Sequence, residues 1–257
     1  MLPRILNPGR AGHADAILRP VSSQRLRGML SGVAERRFPG LRAAAYGVLE
    51  RTATAWFHRF YYLGMERTWE NTRWLGHRIQ KFPGDVWVYQ EILSELRPDW
   101  ILETGTNWGG SAYFLASICD LLGHGRVVTI DLDAKPDPPE HERITYVAGS
   151  STDPEIVDSV RTMVAESQTV LVILDSDHSY GHVASELRAY SDLVTLGSYL
   201  IVEDTNIAGH PVLRGLATGP YEAVDDFLSG DTRFERDHSR EKFMMTFNPG
   251  GYLKRIR

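Results

Sequence analysis

Two short stretches of this sequence concentrate groups that can do chemistry. Leu174-Asp175-Ser176-Asp177-His178-Ser179-Tyr180 closes one highly apolar run, and Ile201-Val202-Glu203-Asp204-Thr205-Asn206 closes another. If both runs are strands of one open parallel sheet, their carboxyl ends share a crevice where Asp175, Asp177, His178, Glu203 and Asp204 can converge. So many carboxylates repel one another unless a cation neutralises them. Hard oxygen ligands of this kind suit Mg²⁺, which also keeps waters or takes oxygens from a substrate. His178 is the candidate general base, because imidazole titrates near the working pH, with Asp177 as a second catalytic candidate and His182 as runner-up base. The plainer alternative, loop-capping acids on a solvated rim, leaves unexplained why five polar groups follow two such apolar runs. Zinc is disfavoured, since no matching His/Cys set accompanies them.

A second constellation lies upstream, in Glu103-Thr104-Gly105-Thr106-Asn107-Trp108-Gly109-Gly110-Ser111. Glycines between a strand and a helix let the chain turn tightly and bring backbone N–H groups close to a ligand. A dinucleotide fingerprint wants G-x-G-x-x-G, whereas this turn reads G-x-x-x-G-G after an acidic residue. An acid there repels a pyrophosphate but can hold the cationic methionine end of S-adenosylmethionine. Glu103, Gly105, Thr106, Gly110 and Ser111 are therefore candidate cofactor contacts, with Asp175 close to both cofactor and metal. Asp131, ending Val127-Val128-Thr129-Ile130-Asp131, can accept both ribose hydroxyls, and Ser150 in Gly149-Ser150-Ser151 falls beside the adenine.

These tips need a sheet to hold them. From Asp99 onward short apolar runs alternate with helical stretches, the pattern of βαβ units. Strands are expected at Trp100–Glu103, Arg126–Asp131, Ile144–Ala148, Val170–Asp175, Tyr199–Glu203, Phe234–Asp237 and Phe243–Phe247, with helices near 110–122, 153–166, 181–196 and 219–229. The last two strands leave no room for a crossover helix and should pair antiparallel. The expected fold is α/β: the Rossmann-like seven-stranded sheet of class I methyltransferases with an N-terminal helical extension.

The 257 residues and 42% hydrophobic content allow one sizeable core plus an accessory, divided here into residues 1–84, a helical segment, and 85–257, a cofactor-binding domain. In the first segment Arg25, Arg27, Arg36, Arg37, Arg42, Arg51 and Arg59 interleave with apolar residues at helical spacing, which reads as amphipathic helices packing on the domain or on a second subunit. The apolar and aromatic residues of 41–64 are easiest to explain in a dimer. A net charge of -5 and a pI near 6.0 argue against nucleic acid and for a small-molecule or glycan acceptor. The single cysteine, Cys119, reads as a core residue and fits a reducing cytoplasm. No stretch has the apolar length of a membrane span.

At these residues the sequence resembles the cephalosporin hydroxylase/rhamnosyl O-methyltransferase family, which includes macrolide-sugar methyltransferases. The resemblance runs from about Pro83 to Tyr252 and rests on Asp85-Val86-Trp87-Val88-Tyr89-Gln90-Glu91-Ile92, Leu102-Glu103-Thr104-Gly105-Thr106, Leu174-Asp175-Ser176-Asp177-His178-Ser179, Val202-Glu203-Asp204-Thr205-Asn206 and Gly209-His210-Pro211-Val212. It implies Mg²⁺ held by Asp175, Glu203 and Asp204, S-adenosylmethionine contacts from Glu103, Gly105 and Asp131, a base at His178, and methylation of a sugar hydroxyl. Two rivals of other classes are an NAD(P)-dependent oxidoreductase, disfavoured by the glycine spacing, and a non-catalytic binding protein, disfavoured by the intact carboxylate set.

Overall fold

The computed structural model of the protein describes residues 39–257 apart from residue 134. The helices expected around Arg25, Arg27, Arg36 and Arg37 lie outside the described residues. Residues 51–257 pack as one compact unit, and the contacts below belong to it.

A long helix, α1 (Pro39–Leu63), leads to a small hairpin of β1 (Arg73–Trp74) and β2 (His77–Arg78), and then to α2 (Pro83–Leu96). Pro83 stands at the first position of α2, where its fixed φ suits the helix and its missing N–H has no partner to lose. The alternating part follows as β3 (Trp100–Thr104), α3 (Gly110–Leu122), β4 (Arg126–Asp131), β5 (Ile144–Ala148), α4 (Pro154–Val164) and β6 (Val170–Leu174). It continues with α5 (Tyr180–Tyr190), β7 (Tyr199–Val202), α6 (Pro220–Gly230), β8 (Phe234–Arg236) and β9 (Tyr252–Arg255). The sheet order is β5-β4-β3-β6-β7-β9-β8, with β9 antiparallel to both its neighbours. This is the class I methyltransferase sheet. Its strand order reverses between β3 and β6, the place where an open α/β sheet opens a crevice for ligands.

The antiparallel ending was expected, but one of its strands is elsewhere. Phe243–Phe247 is not a strand; β9 is formed by Tyr252–Arg255. The apolar run reads like a strand because Met245 and Phe247 are buried, yet Met244 takes a left-handed φ of 66° that breaks extended pairing. The Phe247 N–H goes to the Asp85 carboxylate instead of to a strand, and its ring joins His58, Tyr61, Tyr62, Trp69 and Phe82 in an aromatic cluster. Side-chain satisfaction replaces the ladder here.

Alternation along the strands splits the core into two layers. Leu102, Val128, Val172, Leu174, Leu200 and Val202 face Val157, Val160, Val183, Leu187 and Val224 of α4 to α6. Ile101, Val127, Leu171, Ile173 and Ile201 face Val88, Ile92, Leu93, Phe114 and Leu115 of α2 and α3. Cys119 is buried in this second layer, as expected of a small apolar residue. Glu103 and Glu203 share strand parity with Ile101 and Ile201. Both carboxylates are thereby carried toward the α2/α3 side, and both are buried.

Candidate active site

A cavity of about 730 Å³ opens at the β3/β6 crevice. Its walls include Gly105, Thr106, Gly110, Ser111, Asp131, Ser150, Asp175, Asp177, His178 and Asp204. Ten of the expected site residues thus border one space. Glu103 and Glu203 do not line it; they stand buried behind it.

Gly105 has φ +88°, and a Cβ there would come within 1.9 Å of the Asp175 carbonyl oxygen. Only glycine allows the tip of β3 to lie so close to the tip of β6. Gly110 permits a second close approach, since a Cβ on it would meet the Arg78 carbonyl oxygen at 2.0 Å. Residues 78 to 81 therefore cross the start of α3. Gln80 Oε1 accepts from Asn107 Nδ2 at 2.6 Å, and the Asn107 N–H donates to Asp131 Oδ2 at 2.8 Å. A second backbone donor, Asp133 N–H, reaches Asp131 Oδ1 at 2.8 Å, so the carboxylate is held in one orientation on the cavity wall.

Glu103 is fully buried. Its Oε2 accepts from the Thr129 hydroxyl at 2.8 Å, and Thr129 in turn bonds Thr106 at 2.8 Å. Its other oxygen, Oε1, has no hydrogen-bond partner. Burial pushes the carboxyl up to about 7, against the opposing pull of Lys81, Ser111 and Thr129. An unpartnered buried carboxylate oxygen beside the glycine turn is the kind of acceptor that an ammonium group satisfies.

At the other side of Gly105, ligand atoms of Asp175, His178 and Asp204 all lie within 4.8 Å of one another. His178 Nε2 stands 3.1 Å from Asp204 Oδ2 and 3.8 Å from Asp175 Oδ1. Burial lowers the His178 pKa, but Asp204, Asp175 and Glu203 together outweigh it and the imidazole is raised. Burial raises Asp175 and Asp204, opposed at Asp175 chiefly by Lys81 and at Asp204 by His178. Two carboxylates on one wall fit a hard divalent cation that completes its shell with waters or substrate oxygens, and the imidazole beside them is free to act on a proton.

Asp177 does not join this cluster. Its Oδ1 accepts the Ser179 N–H at 2.7 Å and shapes the entry to α5, which is why its carboxyl is held below the usual range. His182 also lines the cavity, where it faces Ser151 Oγ at 3.1 Å and Glu186 at 3.4 Å rather than the Asp175–His178–Asp204 cluster. Glu203 Oε1 accepts from Tyr89 Oη at 2.7 Å and from Lys81 Nζ at 2.5 Å. Lys81 Nζ also donates to Asp175 Oδ2 at 2.6 Å.

Lys81 was invisible to spacing arguments, because its partners stand 94 and 122 residues away in the chain. The same holds for Tyr62 and Trp69, which line the cavity with rings stacked 5.0 Å apart. Burial and then the charge of Asp204 raise the Tyr62 pKa. The loop that carries Asp204 is braced from α1: Asn206 Nδ2 donates to buried His58 at 2.8 Å, and Arg59 Nε reaches the Pro211 carbonyl at 3.1 Å.

The sequence model of the Rhamnosyl O-methyltransferase/CmcI family matches residues 66–256. A rhamnosyl O-methyltransferase of Mycobacterium bovis (strain BCG / Pasteur 1173P2) is 40% identical over 208 residues, 77% of this chain and 83% of that protein. One of Mycobacterium leprae (strain TN) is 39% identical over 207 residues, 77% of this chain and 89% of its own length. Among solved structures, a CmcI apo structure aligns with TM-score 0.57 at 24% identity, over 73% of this chain and 77% of that one. A CmcI structure with Mg and SAM aligns with TM-score 0.56 at 23% identity, over 73% and 78%. These structures share the fold, and the sequence match carries the relationship further: the chain belongs to the rhamnosyl O-methyltransferase/CmcI family.

Proposed function

We propose that this protein is an S-adenosylmethionine- and Mg²⁺-dependent O-methyltransferase acting on a hydroxyl of a sugar or glycoside. The observation that carries the reading is the convergence of Asp175, Asp204 and His178 on one cavity with the Gly105 turn and its unpartnered Glu103 oxygen. Relatives at 40% identity are rhamnosyl O-methyltransferases, and a CmcI chain of the same fold has been solved with Mg and SAM. When bound, the sulfonium cofactor supplies an electrophilic methyl group and the divalent cation lowers the pKa of the acceptor hydroxyl.

The protein's own groups then divide the work. Glu103 accepts the ammonium of the cofactor, Asp131 its ribose hydroxyls, and Gly105, Thr106, Gly110, Ser111 and Ser150 shape the rest of its cradle. Asp175 and Asp204 hold the cation with Glu203 behind them, and His178 Nε2 receives the acceptor's proton. Tyr62 and Trp69 offer an aromatic wall suited to the apolar face of a sugar ring. Residues 1–84 serve as an accessory segment to the domain of residues 85–257. A homodimer is the assembly that covers the exposed rings of Trp56, Phe57 and Phe60, and the buried lone Cys119 fits a cytoplasmic setting. Among the described residues no helix is long and apolar enough to cross a membrane.

The test is methyl transfer from labelled S-adenosylmethionine to rhamnosyl glycosides, with and without Mg²⁺. Label in the sugar is expected only with both present. Tight binding of NAD(P) with no transfer to any glycoside sinks the proposal.

Cofactor binding should also depend on pH through Glu103. Its carboxyl, raised to about 7 by burial, loses its charge progressively below that value and with it the charge-assisted hold on an ammonium. Calorimetry with S-adenosylhomocysteine is expected to show affinity rising with pH to a plateau above 7, with a loss of about tenfold per unit below. Glu103→Gln should lose that slope and bind more weakly at the plateau by ~1.5–3 kcal/mol. Parallel pH profiles in parent and variant remove Glu103 from the cofactor site.

A further inference from the structure

We propose that Lys81 is a built-in counter-cation that makes the metal site selective for a small divalent ion. This rests on the metal-dependent reading above and assigns a residue which that reading does not use. Lys81 is buried, 4% exposed, with Nζ 2.6 Å from Asp175 Oδ2 and 2.5 Å from Glu203 Oε1. It is not a flexible surface lysine folded back by chance. Its own carbonyl accepts from the Thr72 hydroxyl at 3.3 Å, and the next residue, Phe82, is stacked on Phe247 at 5.6 Å. The Glu203 oxygen it holds is fixed a second time by Tyr89 Oη, which in turn accepts from Asn248 Nδ2 at 3.1 Å.

Two consequences follow from charge and geometry. With His178 unprotonated, the carboxylates of Asp175, Glu203 and Asp204 carry three negative charges between them; the Lys81 ammonium leaves two, which one divalent ion neutralises. Unbalanced charge in a buried place is costly, so the balance decides which ion the site prefers. Lys81 also engages one oxygen of Asp175 and one of Glu203. Asp175, whose Oδ1 faces His178 while Oδ2 is held by Lys81, can then offer a cation only Oδ1, which suits octahedral Mg²⁺ and disfavours larger ions that take carboxylates in bidentate fashion. Lys81 is a positioning residue in this scheme, since it touches the ligands and not the reacting atoms.

The experiment compares the full chain with Lys81→Met, Lys81→Arg and the charge-balanced double variant Lys81→Met/Glu203→Gln. Thermal melting in EDTA reads the metal-free state, and competition between Tb³⁺ and Mg²⁺, followed by Tb³⁺ luminescence, reads selectivity. Lys81→Met is expected to melt lower in EDTA and to shift its preference from Mg²⁺ toward Tb³⁺ by about tenfold or more. Lys81→Arg should keep the parent's preference. The double variant should regain the parent's metal-free melting temperature, including when Lys81→Met alone does not fold. An unchanged Tb³⁺:Mg²⁺ preference in folded Lys81→Met, or a double variant that regains nothing, overturns the role of Lys81. A parent that binds neither ion instead overturns the metal-dependent reading itself, so the two failures are told apart.

Discussion

Asp175→Asn is expected to lower kcat by about 10³-fold, because charge stabilisation of this kind is worth several kcal/mol and each ~1.4 kcal/mol is a factor of ten. The carboxylate sits where three demands meet: Oδ2 takes the Lys81 ammonium, Oδ1 faces His178, and the backbone carbonyl abuts Gly105. Asparagine keeps the shape and removes the charge. Its amide nitrogen must then point either at the Lys81 donor or into the cluster with Asp204, and neither arrangement leaves a site for a divalent cation. Chelation of the parent should reproduce the loss. Added Mg²⁺ should restore the chelated parent and leave the variant inactive, with melting curves confirming that both are folded. A parent that keeps full activity after exhaustive chelation would falsify the metal requirement.

His178→Ala is expected to cost ~10²–10⁴-fold in kcat while leaving cofactor and metal binding near the parent's values. An aliphatic hydroxyl is a weak acid and, unionised, a poor nucleophile toward a sulfonium carbon. His178 Nε2, 3.1 Å from Asp204 Oδ2, is the nitrogen placed to take its proton. The neighbouring carboxylates raise the imidazole pKa, so in the cation-free protein the base is neutral only toward higher pH. A general base acts only when unprotonated, so activity of the parent should rise with pH as His178 loses its proton, and the variant should lose that rising limb. Asp177 and His182 are not poised to take over, being engaged with the Ser179 N–H and with Ser151 and Glu186. A variant with the parent's rate and pH profile would move proton removal to another group or to solvent.

The strands that build the site were legible because each is a short apolar run ending in an acidic residue that breaks its apolar character. Glu103, Asp131, Asp175 and Glu203 announce themselves by that contrast, and the glycines at 105 and 110 supply the turn between them. Spacing brought Asp175 and Asp177 to the same strand tip; the structure separates them through the Ser179 N–H, a local bond that engages Asp177 outside the cluster. Lys81, Tyr62 and Trp69 were illegible for a different reason. Their meaning comes from partners far along the chain, and nothing in the residues beside them records it. Phe243–Phe247 misled because burial and apolar composition are shared by strands and by well-packed loops, and the decisive facts, the Asp85 carboxylate and the left-handed Met244, are tertiary and local in turn.

The buried partnerships of the α2 side also bear on how the chain completes itself during synthesis. Lys81 finds Glu203 across 122 residues, and Asp85 finds the Phe247 N–H across 162. Lys81 meets its first partner at Asp175 and its second at Glu203, whereas Asp85 waits for residues 246–252 before it is matched. Contacts of such long sequence separation form late and cannot be supplied by any amino-terminal fragment. A nascent chain halted before β7 offers Lys81 only Asp175 and offers Asp85 nothing, so the α2 side stays open and hydrated until β7 and residues 246–252 close over it.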